Sequence, residues 1–74
     1  MRPQYNYKIK NNLLQLRKAR KLSQNALARK VGIAEINYRR IEKGKNVPSG
    51  ETMLMIAMAL KEPVDKVFYL EKII

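Results

Sequence analysis

The 74-residue chain contains no cysteine and no histidine. It therefore cannot form a disulfide framework, and it lacks the usual ligands of a zinc site. It also lacks the thiol and imidazole groups on which much nucleophilic and general-base catalysis depends. We expect no metal, no cofactor and no enzymatic activity, and we favour a binding function.

Long apolar segments are also missing. Charged residues interrupt the apolar runs before they reach the length that spans a bilayer, and the start MRPQYNYKIKNN lacks the apolar stretch of a secretory signal. We therefore expect a cytoplasmic protein that does not enter the membrane. A domain of this size buries only about 60% of its unfolded surface, so a second subunit would help to stabilise it.

Acidic residues are scarce, with 6 Asp and Glu against 16 Lys and Arg. The imbalance is confined to residues 1–50, which contain 13 basic and 2 acidic residues, whereas residues 51–74 contain 3 and 4. A basic surface of this kind indicates an anionic partner, meaning nucleic acid or lipid headgroups. A merely solvated basic face is the alternative.

Apolar spacing and capping residues predict two short helices in the first half of the chain. The first covers about residues 12–21, with Asn11 or Asn12 as its cap. The second begins after Ser23, a good cap, and stops at Gly32, which can take the left-handed conformation.

The stretch GIAEINYRRIEKG predicts a third helix over about residues 35–43, closed by Gly44. Ala34, Tyr38 and Ile41 share one face of this helix. The opposite face carries charged and polar side chains together with one isoleucine. Two short helices joined by a glycine-containing turn, the second with a polar outer face, are what a helix-turn-helix DNA-binding motif requires.

Ser49 can cap a fourth helix through GETMLMIAMALK, and Pro63 marks its end before a helical turn near residues 64–68. The residues expected to face the core from the fourth helix are Met53, Leu54, Ile56, Ala57 and Leu60. Met55 and Met58 point the other way, which predicts a subunit interface. Core filling by flexible methionines is the alternative.

At the N-terminus, Tyr5, Tyr7 and Ile9 alternate with polar residues, the period-two pattern of a half-buried strand. This strand and the C-terminal VFYLEKII can form a small antiparallel sheet. Two alternatives remain: the ends have no fixed structure, or the arm reaches DNA and Lys8 and Lys10 neutralise phosphates.

From Leu13 to Phe68 the chain resembles the phage repressor/Cro-type (Xre, lambda repressor-like) helix-turn-helix family. The resemblance lies in LSQNALA, VGI, RRIEKGKNVPS and PVDKVF, in the order and spacing of the family. It implies an all-α, compact five-helix domain over residues 11–68 that binds operator DNA as a dimer. Residues 1–10 would form an arm or strand, and residues 69–74 a tail or strand available for dimer contact.

The resemblance also implies roles for individual residues. Base contacts in the major groove match Glu35, Ile36, Asn37 and Arg40, whose side chains suit cytosine, thymine, adenine and guanine respectively. The residues expected at phosphates are Gln24, Arg39, Lys43, Lys45, Asn46 and Ser49. The alternatives are that Gln24 is only a solvent-exposed residue of a first helical turn, and that the basic residues form an ordinary solvated face.

Arg17 and Glu42 match positions at which members of the family form a buried ion pair, so we interpret them as structural. The chain departs from the family at Ala34, where many members have a serine or threonine that caps the recognition helix. We expect the first turn of that helix to be looser. The full set of residues expected at the dimer interface is Met55, Met58, Phe68, Tyr69 and Leu70.

The leading functional hypothesis is a sequence-specific transcriptional repressor that binds a palindromic operator as a homodimer. An antitoxin-like protein that sequesters a partner and represses its own operon is the second. A nonspecific RNA-binding or membrane-surface protein explains the charge but leaves the capped helix-turn-helix pattern unexplained.

Overall fold

The computed structural model describes residues 6–73, which form five helices between two terminal strands. The elements in chain order are β1 (Tyr7–Asn11), α1 (Leu13–Ala19), α2 (Gln24–Val31), α3 (Glu35–Glu42), α4 (Gly50–Leu60), α5 (Val64–Val67) and β2 (Phe68–Lys72). Helices α2 and α3 form the predicted helix-turn-helix. Tyr5, which the pattern assigns to the first strand, lies outside the described residues.

Helices α2 and α4 begin at the predicted serine caps. Ser23 Oγ accepts a hydrogen bond from the amide of Ala26 at 3.0 Å, and Ser49 Oγ accepts one from the amide of Thr52 at 3.2 Å. These bonds satisfy amides that have no partner within the helix. Gly32 ends α2 with a φ of 84°, as predicted.

The turns that follow α1 and α4 each contain a left-handed residue that is not glycine, Lys21 with a φ of 55° and Lys61 with a φ of 57°. Helix α1 is therefore shorter than predicted. The Arg20 side chain joins the two ends, since its Nε donates to the Leu60 carbonyl and its Nη2 lies 2.9 Å from Glu62 Oε2. These bonds fix two turns whose backbone conformation costs about 1–2 kcal/mol per residue.

The helices enclose one apolar core. Its largest fully buried side chains are Tyr38, Leu13, Leu27, Ile56, Leu60 and Val67. Tyr38 and Ile41 face this core from α3, as predicted. The prediction was wrong for Leu54, which is 59% exposed. Leu54 precedes Ile56 by two residues and so lies on nearly the opposite side of α4 from that buried side chain.

The two terminal strands pair antiparallel, with Tyr7 opposite Lys72 and Asn11 opposite Phe68. The predicted sheet is thus confirmed for the described residues. Phe68 is only 7% exposed and belongs to the core of the domain. A buried side chain cannot contact a second subunit without rearrangement, so Phe68 is better explained by core packing than by the predicted interface role.

We expect Ala34→Ser to increase the free energy of unfolding by about 1 kcal/mol. Ala34 occupies the cap position of α3 in an extended conformation, with φ −66° and ψ 142°, but provides no side-chain hydrogen bond. A serine there can accept an amide hydrogen bond without a change of backbone. Urea unfolding measures the effect.

The matched control is Ser23→Ala, which removes an existing cap and should lower the free energy of unfolding by a similar amount. If Ser23→Ala destabilises the protein while Ala34→Ser has no effect, the first turn of α3 does not need the missing cap.

Candidate nucleic-acid interface

The carboxylate of Glu42, the last residue of α3, accepts hydrogen bonds from three other side chains. Arg17 of α1 donates through Nε to Oε1 at 2.9 Å and through Nη2 to Oε2 at 3.1 Å. The Tyr38 hydroxyl donates to Oε1 at 2.7 Å, and Gln24 Nε2 of α2 donates to Oε2 at 3.0 Å. One carboxylate therefore connects α1 and α2 to the end of α3.

The ion pair of this network is buried, because the Arg17 and Glu42 side chains are only 10% and 9% exposed. Burial alone would raise the pKa of Glu42, but the hydrogen bonds from Arg17, Tyr38 and Gln24 outweigh it and hold that pKa below its usual range. Burial and the hydrogen bond to Glu42 raise the pKa of the Tyr38 hydroxyl. At neutral pH the network therefore has one protonation state.

Asn11 fixes the C-terminal end of α3 from the side of β1. Its Nδ2 donates to the carbonyl oxygens of Ile41 at 3.1 Å and Glu42 at 3.4 Å. Its Oδ1 accepts from the amide of Leu13 at 3.0 Å and so caps the start of α1. Asn12 occupies the N-cap position of α1 but its side chain forms no capping hydrogen bond, so the side-chain bond at the start of this helix comes from Asn11, one residue earlier. The additional contact of Asn11 with α3 was not predicted.

The solvent-facing side of α3 carries the predicted stripe. Ile36, Arg40 and Lys43 follow one another at helical spacing, and all three are exposed on the side away from the buried Tyr38. Ile36 is 58% exposed. Among the described residues Arg40 has no ion-pair partner, so its guanidinium is available to an external acceptor.

Glu35 and Arg39, next to this stripe, bind each other. Arg39 Nη2 lies 2.7 Å from Glu35 Oε2, and Asn25 of α2 donates to Glu35 Oε1 at 2.8 Å. The hydrogen bond from Asn25, with a smaller contribution from Arg39, lowers the pKa of Glu35. Glu35 therefore presents an ionised carboxylate that is already oriented by two donors at the start of α3.

A groove separates α3 from the loop that leads to α4. Its lining includes Asn37 of α3 and the exposed loop residues Lys45, Asn46 and Val47. Ser49 lies farther along the loop, where its hydroxyl serves mainly as the cap of α4. The structure thus brings Lys45 and Asn46 alongside α3, whereas Ser49 has a role within the fold.

The residues predicted at the dimer interface lie on other elements, α4 and β2. Met55 and Met58 are exposed on α4, and Met58 is 74% exposed. The exposed Leu54 extends the same side of the helix, one turn before Met58. Tyr69 and Leu70 are exposed on β2.

Sequence reasoning missed three tertiary contacts: Asn11 with the end of α3 and Asn25 with Glu35 at the candidate interface, and Arg20 with Glu62 between the ends of α1 and α4. Each joins residues at least ten positions apart, and no local spacing pattern indicates such a pair. The excess of basic residues also concealed the third contact, since Arg20 has no distinctive sequence context.

Within residues 6–73, no cluster of acidic side chains could hold a metal ion. Nor does any helix of that part of the chain have the length and apolar character needed to cross a bilayer.

The HTH_3 helix-turn-helix family matches residues 13–67, and the chain belongs to this family of lambda repressor-like DNA-binding domains. It is similar to the cryptic phage CTXphi transcriptional repressor RstR of Vibrio cholerae serotype O1, with 36% identity over 59 residues. The match covers 80% of this chain and 53% of the relative, so the chain spans about half the length of that curated protein.

Two solved structures share the fold. The restriction-modification controller protein C.AhdI from Aeromonas hydrophila has a TM-score of 0.70 and 31% identity, over 73% of this chain and 82% of that one. An HTH_3 family transcriptional regulator from Vibrio cholerae has a TM-score of 0.66 and 33% identity, over 73% of this chain and 30% of that one.

We expect Glu42→Gln to lower the free energy of unfolding by about 3 kcal/mol or more at neutral pH, because Arg17 would retain a buried charge without its counter-ion. The folded-state pKa of Glu42 lies below the ordinary value of 4.5. The stabilisation by its carboxylate is therefore complete above about pH 4.5 and is lost as the pH falls through the folded-state pKa. Urea unfolding across this pH range should show the variant and parent converging in acid.

Glu62→Gln is the control, because its pair with Arg20 is more exposed and should contribute less. If the difference between Glu42→Gln and the parent stays constant from about pH 7 to pH 3, the charge of Glu42 is not the source of the stabilisation.

Proposed function

We propose that this helix-turn-helix protein is a sequence-specific transcriptional repressor that binds a palindromic operator in the cytoplasm as a homodimer. The observation that carries the proposal is the exposed stripe of α3, whose orientation is fixed from behind by the Glu42 network. A helix of this diameter fits the major groove of B-DNA. The similarity to a phage repressor supports repression, which would act by excluding polymerase from the same DNA.

The base contacts are assigned to the first two turns of α3. Arg40 has a free guanidinium that can donate two parallel hydrogen bonds to guanine. Glu35 can accept from the amino group of cytosine, and its orientation by Asn25 supports this role. Asn37 would pair with adenine, and Ile36 would pack against a thymine methyl group.

Phosphate contacts would surround this stripe and set the position of the protein without reading sequence. They are assigned to Gln24, Arg39, Lys43, Lys45, Asn46 and Ser49. Lys43, Lys45 and Asn46 are exposed and fit this role best. Gln24, Arg39 and Ser49 already have partners within the protein, so each would have to share or exchange a hydrogen bond on binding.

The dimer contact is assigned to exposed apolar side chains on two elements, Met55 and Met58 on α4 and Tyr69 and Leu70 on β2, with Leu54 as an addition. An exposed surface of this kind on a small domain favours association. Two-fold symmetry would then place the two α3 helices in successive major grooves, with half-sites about 10 base pairs apart. A different protein on this surface would correspond to the antitoxin-like alternative.

Selection of bound sequences from a random duplex pool tests the proposal as a whole. A palindromic sequence with half-sites about 10 base pairs apart is expected. Recovery of random sequences would contradict it, and a single unpaired half-site would contradict the homodimer.

We expect Arg40→Ala to weaken binding to the selected duplex by about 1–3 kcal/mol and to remove the preference at one base position in each half-site. Lys45→Ala should instead weaken binding to all duplexes alike and reduce the salt dependence. Fluorescence anisotropy with the selected duplex and with single-base variants distinguishes the two effects.

Loss of the same base preference in both variants would show that this division between base and phosphate contacts is wrong.

Met55→Lys combined with Met58→Lys should produce a monomer that binds the palindrome weakly, because two charges would be buried at the contact. Sedimentation equilibrium measures the change. Leu14→Lys, a charge added at an exposed apolar residue of α1, should leave a dimer. An unchanged dimer in the double methionine variant would disprove the assigned contact, and co-purification of a second protein would support the alternative.

A further inference from the structure

A second groove lies beside the candidate interface, between the free edge of β1 and the last turn of α3. Its lining consists of Lys8, Ile9, Lys10 and Asn11 on one side and Glu42, Lys43 and Gly44 on the other. None of the strand residues has a role in the function proposed above. The backbone amides and lysine side chains of the groove indicate what it binds.

The sheet register determines which backbone groups of β1 face this groove. Val67 accepts from the amide of Asn12 at 2.9 Å, and Asn6 accepts from the amide of Ile73 at 2.7 Å. Hydrogen-bonded pairs alternate along an antiparallel ladder, so Lys8 and Lys10 also direct their backbone groups toward β2. The amides of Ile9 and Asn11 therefore point to the free edge, where they can donate to an external oxygen.

The carbonyl oxygens of Ile9 and Asn11 point to the same edge as their amides, but the negative groups of α3 near this edge already have partners. The carbonyl of Ile41 accepts from the amide of Gly44 at 3.0 Å and from Asn11 Nδ2, and the carbonyl of Glu42 accepts from Asn11 Nδ2. The Glu42 carboxylate faces inward to Arg17. Hydrogen bonds thus offset the negative end of the α3 dipole, which would otherwise repel an anion.

The charged side chains that remain are lysines. Lys8 and Lys43 are exposed, and neither has an ion-pair partner among the described residues. Lys10 lies 3.8 Å from Glu71, and both side chains are well exposed. An exposed pair of this kind is weak, so an incoming phosphate can compete for Lys10.

The dimensions place this groove at the edge of the DNA contact. Helix α3 has eight residues and is about 12 Å long, which is close to the 12 Å width of the major groove. A helix whose first turns contact bases therefore ends near a flanking phosphate backbone. The β1 edge lies at that end, fixed to it by Asn11.

We infer that the β1–α3 groove binds a backbone phosphate of the operator, through the amide of Ile9 and the side chains of Lys8, Lys10 and Lys43. The terminal sheet is then part of the DNA interface as well as part of the fold. This inference rests on the proposed function and adds a contact made by an ordered strand edge.

The test is the salt dependence of binding to the selected duplex for Lys8→Gln, measured between about 50 and 200 mM NaCl. Loss of this phosphate contact should reduce the slope of log K against log salt by about 1. Lys66→Gln on α5 removes the same charge away from the groove and should retain the parent slope. Base preference should be unchanged in every variant.

An NMR titration with the same duplex examines the backbone contact. The amide of Ile9 should shift strongly and exchange more slowly with solvent, whereas that of Lys66 on α5 should change little. A parent slope in Lys8→Gln, or an unshifted Ile9 amide, would overturn the inference even if Arg40→Ala shows the expected loss of base preference. If the parent protein binds random duplexes as tightly as the selected one, the proposed function itself fails.

Discussion

The buried carboxylate of Glu42 fixes the position of α3, the helix proposed to contact the bases. Because it ends α3 and accepts hydrogen bonds from α1 and α2, the helix cannot rotate or slide without exposing or separating a buried charge pair. Breaking such a pair by removing one partner costs about 3–5 kcal/mol, a large part of the stability of a small domain. A rigid support of this kind holds α3 in one orientation, which base contacts need if they are to distinguish sequences.

Ion pairs formed by the acidic residues explain the distribution of charge over the surface. Four of the 6 acidic residues form ion pairs within the described chain, namely Glu35, Glu42, Glu62 and Glu71. Their partners are thereby partly neutralised, and two of these pairs position elements of the helix-turn-helix. The cations without a partner, such as Arg40 and Lys43, remain to produce a positive field along α3. The exposed apolar side chains of α4 and β2 lie on other elements than α3.

The sequence predicts elements whose signals are local. Ser23, Gly32 and Ser49 mark helix ends by their own conformational or capping preferences, and the spacing of Tyr38 and Ile41 identifies the buried side of α3. Left-handed turns at Lys21 and Lys61 carry no such signal, because a tertiary contact through Arg20 stabilises them. The burial of Phe68 follows from the pairing of β2 with β1, two strands that lie far apart in the sequence. Leu54 is a different case. Its apolar character alone suggested that it faces the core, whereas its angular position on α4 indicated that it is exposed.

Methylation interference on the selected duplex tests the central claim most directly. Methylation of guanine N7 adds a group in the major groove, whereas methylation of adenine N3 adds one in the minor groove. If α3 enters the major groove with Arg40 at a guanine, N7 methylation within each half-site should abolish binding and N3 methylation there should have little effect. Interference from adenine N3 alone would contradict this account, because it would place the contact in the minor groove.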